Sequence, residues 1–224
     1  MNIYFDGKSA NKVAKSKSTI VNNNTINVNY FSKTDKVNDE KRGLLYYDNL
    51  NQTWVFCGLQ QKSVKNCYNL VLLLESPHKD EYDSCGNPLR PANGTTGTKI
   101  QKLFAKQVNN NNAKWKLEEG KIYCVWLVNA IQYQTSAFNQ LNNQSNYNKQ
   151  WRSVRNYIFK TLWKNEQLFN LQADLTKRIN TIKPKITINC VTGGKSASGL
   201  RTMVNKSISQ QWTTFCYSHP SSWK

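Results

Sequence analysis

Apolar residues in this chain gather in short runs set between long polar stretches. Leu70-Val71-Leu72-Leu73-Leu74 is five apolar residues without a break. Such a run, bounded by polar sequence, is the pattern of a strand buried on both faces. Ile122–Val128 and Ile186–Val191 repeat it, and Thr213–Tyr217 is a fourth, shorter case. Between the first two runs the pattern predicts a helix from Thr98 to about Gln107, broken by Asn109–Asn112. A longer helical region is predicted from about Asn148 to Ile182, where Trp151, Val154, Ile158 and Leu162 recur at three- and four-residue steps and Pro184 ends the run. Gly193-Gly194 then turns the chain into a helix from about Ser196. Strands alternating with helices predict an α/β domain: a parallel sheet flanked by helices on both faces.

The first 62 residues read differently. Asn2–Phe5 and Thr25–Phe31 alternate apolar and polar, and Leu44–Tyr47 and Thr53–Cys57 flank the turn sequence Asp48-Asn49-Leu50-Asn51-Gln52 as a hairpin would. Lys8–Lys17 is basic and short of apolar anchors, which suits a loop or a phosphate-contacting arm. The organisation expected is a β-rich N-terminal extension over 1–62 and a catalytic domain over 63–224. The asparagine runs Asn22–Asn24 and Asn109–Asn112 are low-complexity loop material.

Charge narrows the class of partner. Lys and Arg number 31 against 13 Asp and Glu, a net charge of +18. A field of that sign attracts polyanions and speeds encounter with them. No basic amphipathic helix with a continuous apolar face stands out, and no apolar stretch is long enough to span a bilayer, so DNA is the expected partner rather than a membrane. None of the six cysteines forms a C-x-x-C pair, and Cys124 and Cys190 read as buried thiols. With no signal peptide apparent, a cytoplasmic monomer without disulfides is expected. Two histidines are too few to suggest a zinc site. Gly194-Lys195-Ser196 imitates the end of a P-loop, but Asn189 stands where that motif needs its first glycine.

In open parallel sheets, ligands bind beyond the carboxyl ends of the strands. Here those ends carry Glu75-Ser76-Pro77-His78-Lys79-Asp80-Glu81, Asn129-Ala130-Ile131-Gln132-Tyr133, Thr192-Gly193-Gly194-Lys195 and Ser218-His219-Pro220-Ser221-Ser222. Both histidines of the protein, several carboxylates and an asparagine thus fall on one predicted edge, each histidine beside a proline that stiffens its loop.

These residues also carry a resemblance. Glu75-Ser76-Pro77-His78 after a strand resembles the first motif of the uracil-DNA glycosylase superfamily, G-Q-D-P-Y-H or G-E-A-P-G, and His219-Pro220-Ser221-Ser222 resembles its second, H-P-S-P or H-P-A. Between them, Arg90-Pro91-Ala92-Asn93-Gly94-Thr95-Thr96-Gly97 resembles R-P-F-V-G-R-A-G of the iron–sulfur branch, and Leu127-Val128-Asn129 resembles the strand and asparagine that read the flipped base. Order and spacing agree over roughly residues 69–222.

The resemblance implies a uracil-DNA-glycosylase-like fold and an enzyme that flips a base and hydrolyses its N-glycosidic bond. It implies a catalytic role for His219 but does not supply the general base: Glu75 and Asp80 are the nearby carboxylates expected to serve as base or to stabilise the sugar cation, with Glu81 a further candidate. Base contacts would fall to Ser76, His78, Ala92, Asn129 and Tyr133, and DNA-phosphate contacts to Asn93, Thr95, Lys195 and Ser221. Three departures qualify it. Tyr133 stands where the iron–sulfur branch has a cluster ligand, so no cofactor or metal is expected. Ser76 replaces the water-activating aspartate of the G-Q-D-P-Y-H branch. Ala92 replaces an aromatic that stacks on the base, leaving room for a bulkier one unless Tyr82 or Tyr133 fills the gap. That room fits the phage-defence branch, which excises glucosylated hydroxymethylcytosine. The alternatives are a uracil-DNA glycosylase of repair and a non-catalytic nucleic-acid-binding module. Trp223 is left with two readings: a wedge for the vacated base stack or a cap on the core.

Overall fold

The computed structural model describes residues 36–58, 64, 66–85, 87–133, 156, 159–160, 162–164, 170–192, 199–208 and 212–224, together with the backbone of strands within 2–29. Three N-terminal strands, β1 (Asn2–Asp6), β2 (Ser9–Ala14) and β3 (Thr25–Asn29), form a separate antiparallel sheet in the order β2-β1-β3. Within the basic Lys8–Lys17 stretch, Ser9–Ala14 forms a strand paired with β1, where a loop or arm was expected.

The main sheet has six strands. They are β4 (Glu40–Asp48), β5 (Thr53–Gly58), β6 (Tyr68–Leu74), β7 (Tyr123–Asn129), β8 (Ile186–Asn189) and β9 (Thr214–Cys216), in the order β5-β4-β7-β6-β8-β9. The strands β7, β6, β8 and β9 run parallel, as their continuous apolar runs predict. The β4–β5 hairpin adds an antiparallel edge against β7, so the sheet is mixed where a parallel one was expected. The hairpin belongs to the same sheet because the apolar face of β4, with Leu45 fully buried, completes the core beside β7.

Helices cover both faces. On one face α1 (Thr95–Asn109) and the short α2 (Asn112–Trp115) pack Ile100, Phe104, Val108 and Trp115 against Leu70, Leu72 and Leu74. On the other, α3 (Leu171–Ile182) and α4 (Leu200–Ile208) pack Leu175, Ile179 and Val204 against Val71 and Leu73. The alternate residues of β6 thus feed two separate cores, which is why that run has no polar position. Burying such side chains is worth about 1.5–3 kcal/mol each, so the two clusters dominate the stability of the sheet. The long helical region predicted to Ile182 is interrupted: Asn170 has φ of 39°, a left-handed conformation that starts α3 afresh. The helical positions Trp151, Val154 and Ile158 of that prediction lie outside the described residues, as do residues 193–198.

One expectation fails outright. Cys67 and Cys124 are joined in a disulfide, so Cys124 is not a free thiol. The two residues lie 57 apart in sequence, but β6 and β7 are parallel neighbours with Asn69 opposite Cys124, and this brings the Cα atoms to 5.6 Å. Closing a loop of that length contributes about 4 kcal/mol on the chain-entropy picture. Cys190 is the buried thiol expected, its pKa pushed up to about 12 by burial. Among the described residues, no helix is long and apolar enough to cross a membrane.

Candidate active site

The connection from β6 leads to α1 on one face, and that from β8 leads to α4 on the other. The crevice at the carboxyl ends of such strands is where doubly wound sheets take ligands. Backbone pairing continues past both central strands: Ala130 N–H donates to Leu74 O (2.9 Å) and Ile131 N–H to Glu75 O (3.1 Å). Glu75 and Asn129 are consequently fixed side by side at the edge, with 5% and 1% of their surface exposed.

Glu81 completes a buried polar centre. Pro77 leads the chain into a single 3-10 turn, η1 (Lys79–Glu81), which folds the Glu81 carboxylate back over its own start. There Oε1 accepts from His78 N–H (3.1 Å) and Oε2 from Asn129 Nδ2 (3.1 Å), and the Ala92 N–H donates as well. Burial pushes the Glu81 carboxyl up to about 7; the three hydrogen bonds favour its charged form without cancelling the desolvation, and the Asp80 charge adds to the rise. A carboxyl poised there can hold or release a proton at neutral pH, the property a general base needs.

The same contact orients Asn129. A carboxylate oxygen accepts, so the amide nitrogen must face Glu81 and Oδ1 must face elsewhere. Oδ1 is buried with no hydrogen-bond partner among the described residues. An acceptor left in that state costs about 1–3 kcal/mol, and it is a ready partner for an N–H on an incoming group.

Behind Asn129 stands Arg178 of α3. Its Nη2 donates to Asn129 O (3.1 Å) and Ala130 O (3.3 Å), its Nη1 to both oxygens of Asp39 (2.8 and 2.9 Å), and its Nε to Asp174 (2.8 Å). Burial pushes the Asp39 carboxyl above its ordinary range, with Arg178 pulling the other way. The guanidinium thereby locks the Asn129 backbone to α3 from the side away from Glu81.

The loop resembling R-P-F-V-G-R-A-G wraps η1. Asn93 Nδ2 donates to Asp80 O (2.9 Å) and Arg90 Nε to Asn93 Oδ1 (3.0 Å). Ala92 is buried, with φ of 53°. A Cβ at Gly97 would come within 1.7 Å of Ala92 O, so that glycine is required by the close approach of backbone, whereas one at Gly94 would meet Asp80 Oδ2 at 2.4 Å and displace that side chain. Asp80 itself is half-exposed and meets His78 Nδ1 at 3.2 Å. Of the expected site residues, Glu75, Ser76, His78, Asp80, Ala92, Asn93 and Asn129 therefore gather around Glu81 or in the loops it anchors.

The His219 loop docks nearby, on the same helix. Lys99 Nζ donates to Ser221 O (2.7 Å) and Trp223 O (3.0 Å), two residues along α1 from the glycine that receives Ala92. His219 sits just before η2 (Pro220–Ser222), and its Nδ1 accepts the Ser221 N–H at 3.2 Å, with Ser221 Oγ 2.8 Å away. An amide N–H can only donate, so in the neutral ring the proton sits on Nε2, leaving that nitrogen a donor. Trp223 is buried, stacks on Phe104 at 6.1 Å and donates from Nε1 to Ser218 O: it caps the core. Thr95 opens α1 in an exposed position. Tyr133 is buried in the cluster on the α3 side, whereas Ala92 belongs to the α1 side, so Tyr133 does not occupy the space at Ala92. Lys195 lies outside the described residues.

Glu81, beside the expected Glu75 and Asp80, takes the hydrogen bonds from His78, Ala92 and Asn129. A signal was present: a glutamate three residues into a proline-led turn can reach back to the backbone N–H that opens it, as Glu81 does to His78, whereas Asp80 meets the His78 ring. Arg178 and Asp39 had no local signal. Comparison with protein-family models, curated proteins and solved structures finds no match.

Proposed function

We propose that the protein is a DNA N-glycosylase of the uracil-DNA glycosylase kind, acting on a bulky modified cytosine such as that of phage DNA. The observation that carries the reading is the buried Glu81–Asn129 pair: a carboxyl titrating near neutrality beside an asparagine whose Oδ1 awaits a donor, at the strand edge where the resemblance puts base recognition. The extruded base edge supplies that donor, either the exocyclic amine of cytosine or the N3–H of uracil. Ala92 favours the larger base, because an alanine where the resemblance expects a stacking aromatic leaves out a ring, and Tyr133 packs on the other face of the sheet and does not replace it.

In the reaction the C1′–N bond breaks with its electron pair leaving on the base, and a water oxygen bonds to C1′. Glu81, while ionised, stabilises the positive charge growing on the sugar and then takes the proton from that water, with Glu75 beside it at the strand edge. Nε2–H of His219 donates to the departing base, offsetting its negative charge. Flipping costs a few kcal/mol, which phosphate contacts of the basic surface offset.

The test incubates the protein with duplexes carrying cytosine, hydroxymethylcytosine, glucosylated hydroxymethylcytosine or uracil, then cleaves abasic sites with alkali. Strand breaks are expected with the glucosylated base. Breaks confined to uracil would transfer the protein to the repair class, and none with any duplex would leave a binding module.

A further inference from the structure

We propose that the cleft between β4 and α1 is a second DNA-backbone site, taking phosphodiester groups outside the excision centre. The inference rests on the nucleic-acid part of the proposed function and not on its excision chemistry. The cavity of about 510 Å³ is walled by Lys41 and Arg42 of β4, Arg90 of the loop and Lys102 of α1, four cations against the one carboxylate of Glu40.

The strand is built to aim them there. Consecutive residues of a regular strand face opposite sides. Here the β4–β7 register slips between Lys41, opposite Trp126, and Gly43, opposite Val125, so Arg42 is an extra residue in a bulge. Lys41 and Arg42 both line the cleft as a result. Two of the cations are held in place: Arg42, its side chain 14% exposed, by Glu40 at 3.2 Å, and Arg90 by Asn93 at 3.0 Å. Oriented guanidiniums match the paired oxygens of a phosphate, and Lys41 and Lys102 add mobile charge at the rim.

A polyanion suits the cleft better than a small anion. Its cations come from three separate elements, and they belong to a chain with net charge +18. Ala92 joins the cleft to the excision centre, lining the first and donating its N–H to Glu81 in the second. The strand that delivers the flipped nucleotide would cross here, and the β4–β5 hairpin thereby acquires a role.

Fluorescence anisotropy with a labelled, unmodified 21-base-pair duplex tests this without any chemistry. The cleft pair Lys41→Glu/Lys102→Glu is compared with Lys177→Glu/Lys183→Glu, exposed residues on the α3 face with the same charge change. The cleft pair should weaken binding tenfold or more and flatten the log–log salt dependence by about two, at roughly 0.9 for each phosphate no longer neutralised. The α3 pair should cost under about threefold, the effect of bulk charge alone. Equal losses from both pairs, or a wild-type salt slope in the cleft pair, would overturn the proposal. Cleft-dependent binding by a wild type that excises nothing removes the excision reading and keeps the cleft; active wild type with cleft-independent binding does the reverse.

Discussion

The strand-edge centre and the basic cleft share Ala92 and differ in almost every physical respect. The centre is made of groups removed from water, Glu75, Glu81 and Asn129, each 5% exposed or less. The cleft is made of cations left largely in contact with it, Arg42 excepted. Desolvation moves the Glu81 carboxyl to about 7, whereas the cleft gathers its cations without taking most of them out of water. The first arrangement suits proton transfer and the second suits long-range attraction. Chemistry and affinity should therefore separate under mutation.

Glu81→Gln is the sharpest way to separate them. It keeps the shape and removes the base, so abasic-site formation in single-turnover assays should fall by about 10²–10⁴-fold while duplex affinity stays within about twofold. Equal losses of rate and affinity would merge the two regions.

Arg178→Met acts on the centre from behind. It leaves Asp39, with its side chain 11% exposed, as a buried carboxylate without its guanidinium. Urea denaturation should show a loss of about 3–5 kcal/mol, with a cooperative transition retained. A loss under about 1 kcal/mol would mean the pair is solvated, and Asn129 is held by something else.

Glu81 binds its proton more tightly folded than unfolded, so the stability it contributes is full below about 4.5 and declines as pH rises through about 7. The stability gap between wild type and Glu81→Gln should shift by on the order of 3 kcal/mol toward the glutamine form between pH 4.5 and 8. A constant gap would mean an ordinary, solvated carboxyl. Gly97→Ala is the smallest effect: the added carbon meets Ala92 O, and the required backbone shift should cost about 1–3 kcal/mol in denaturation.

Much of this was legible in the residues. The Leu70–Leu74 run announces a strand buried on both faces, and the polar ends of four such runs mark the edge where the candidate site lies. Helix α1 begins three residues before its periodic pattern does, because Thr95, Thr96 and Gly97 lack the apolar spacing that betrays a helix. What stayed hidden depends on partners distant in sequence. The Cys67–Cys124 bond and the Arg178–Asp39 pair span 57 and 139 residues, and they become visible only when the strand order is known. The cleft was hidden because a bulge reverses the side of one residue, which no period-two reading of β4 anticipates.

The single-turnover rate of base excision against pH, on a duplex carrying glucosylated hydroxymethylcytosine, tests the central claim most directly. With Glu81 as base the rate should climb tenfold per pH unit below about 7 and level off above it, and Glu81→Gln should abolish the climb. A rate flat across that range in the wild type, or a climb that survives in the glutamine variant, would contradict it.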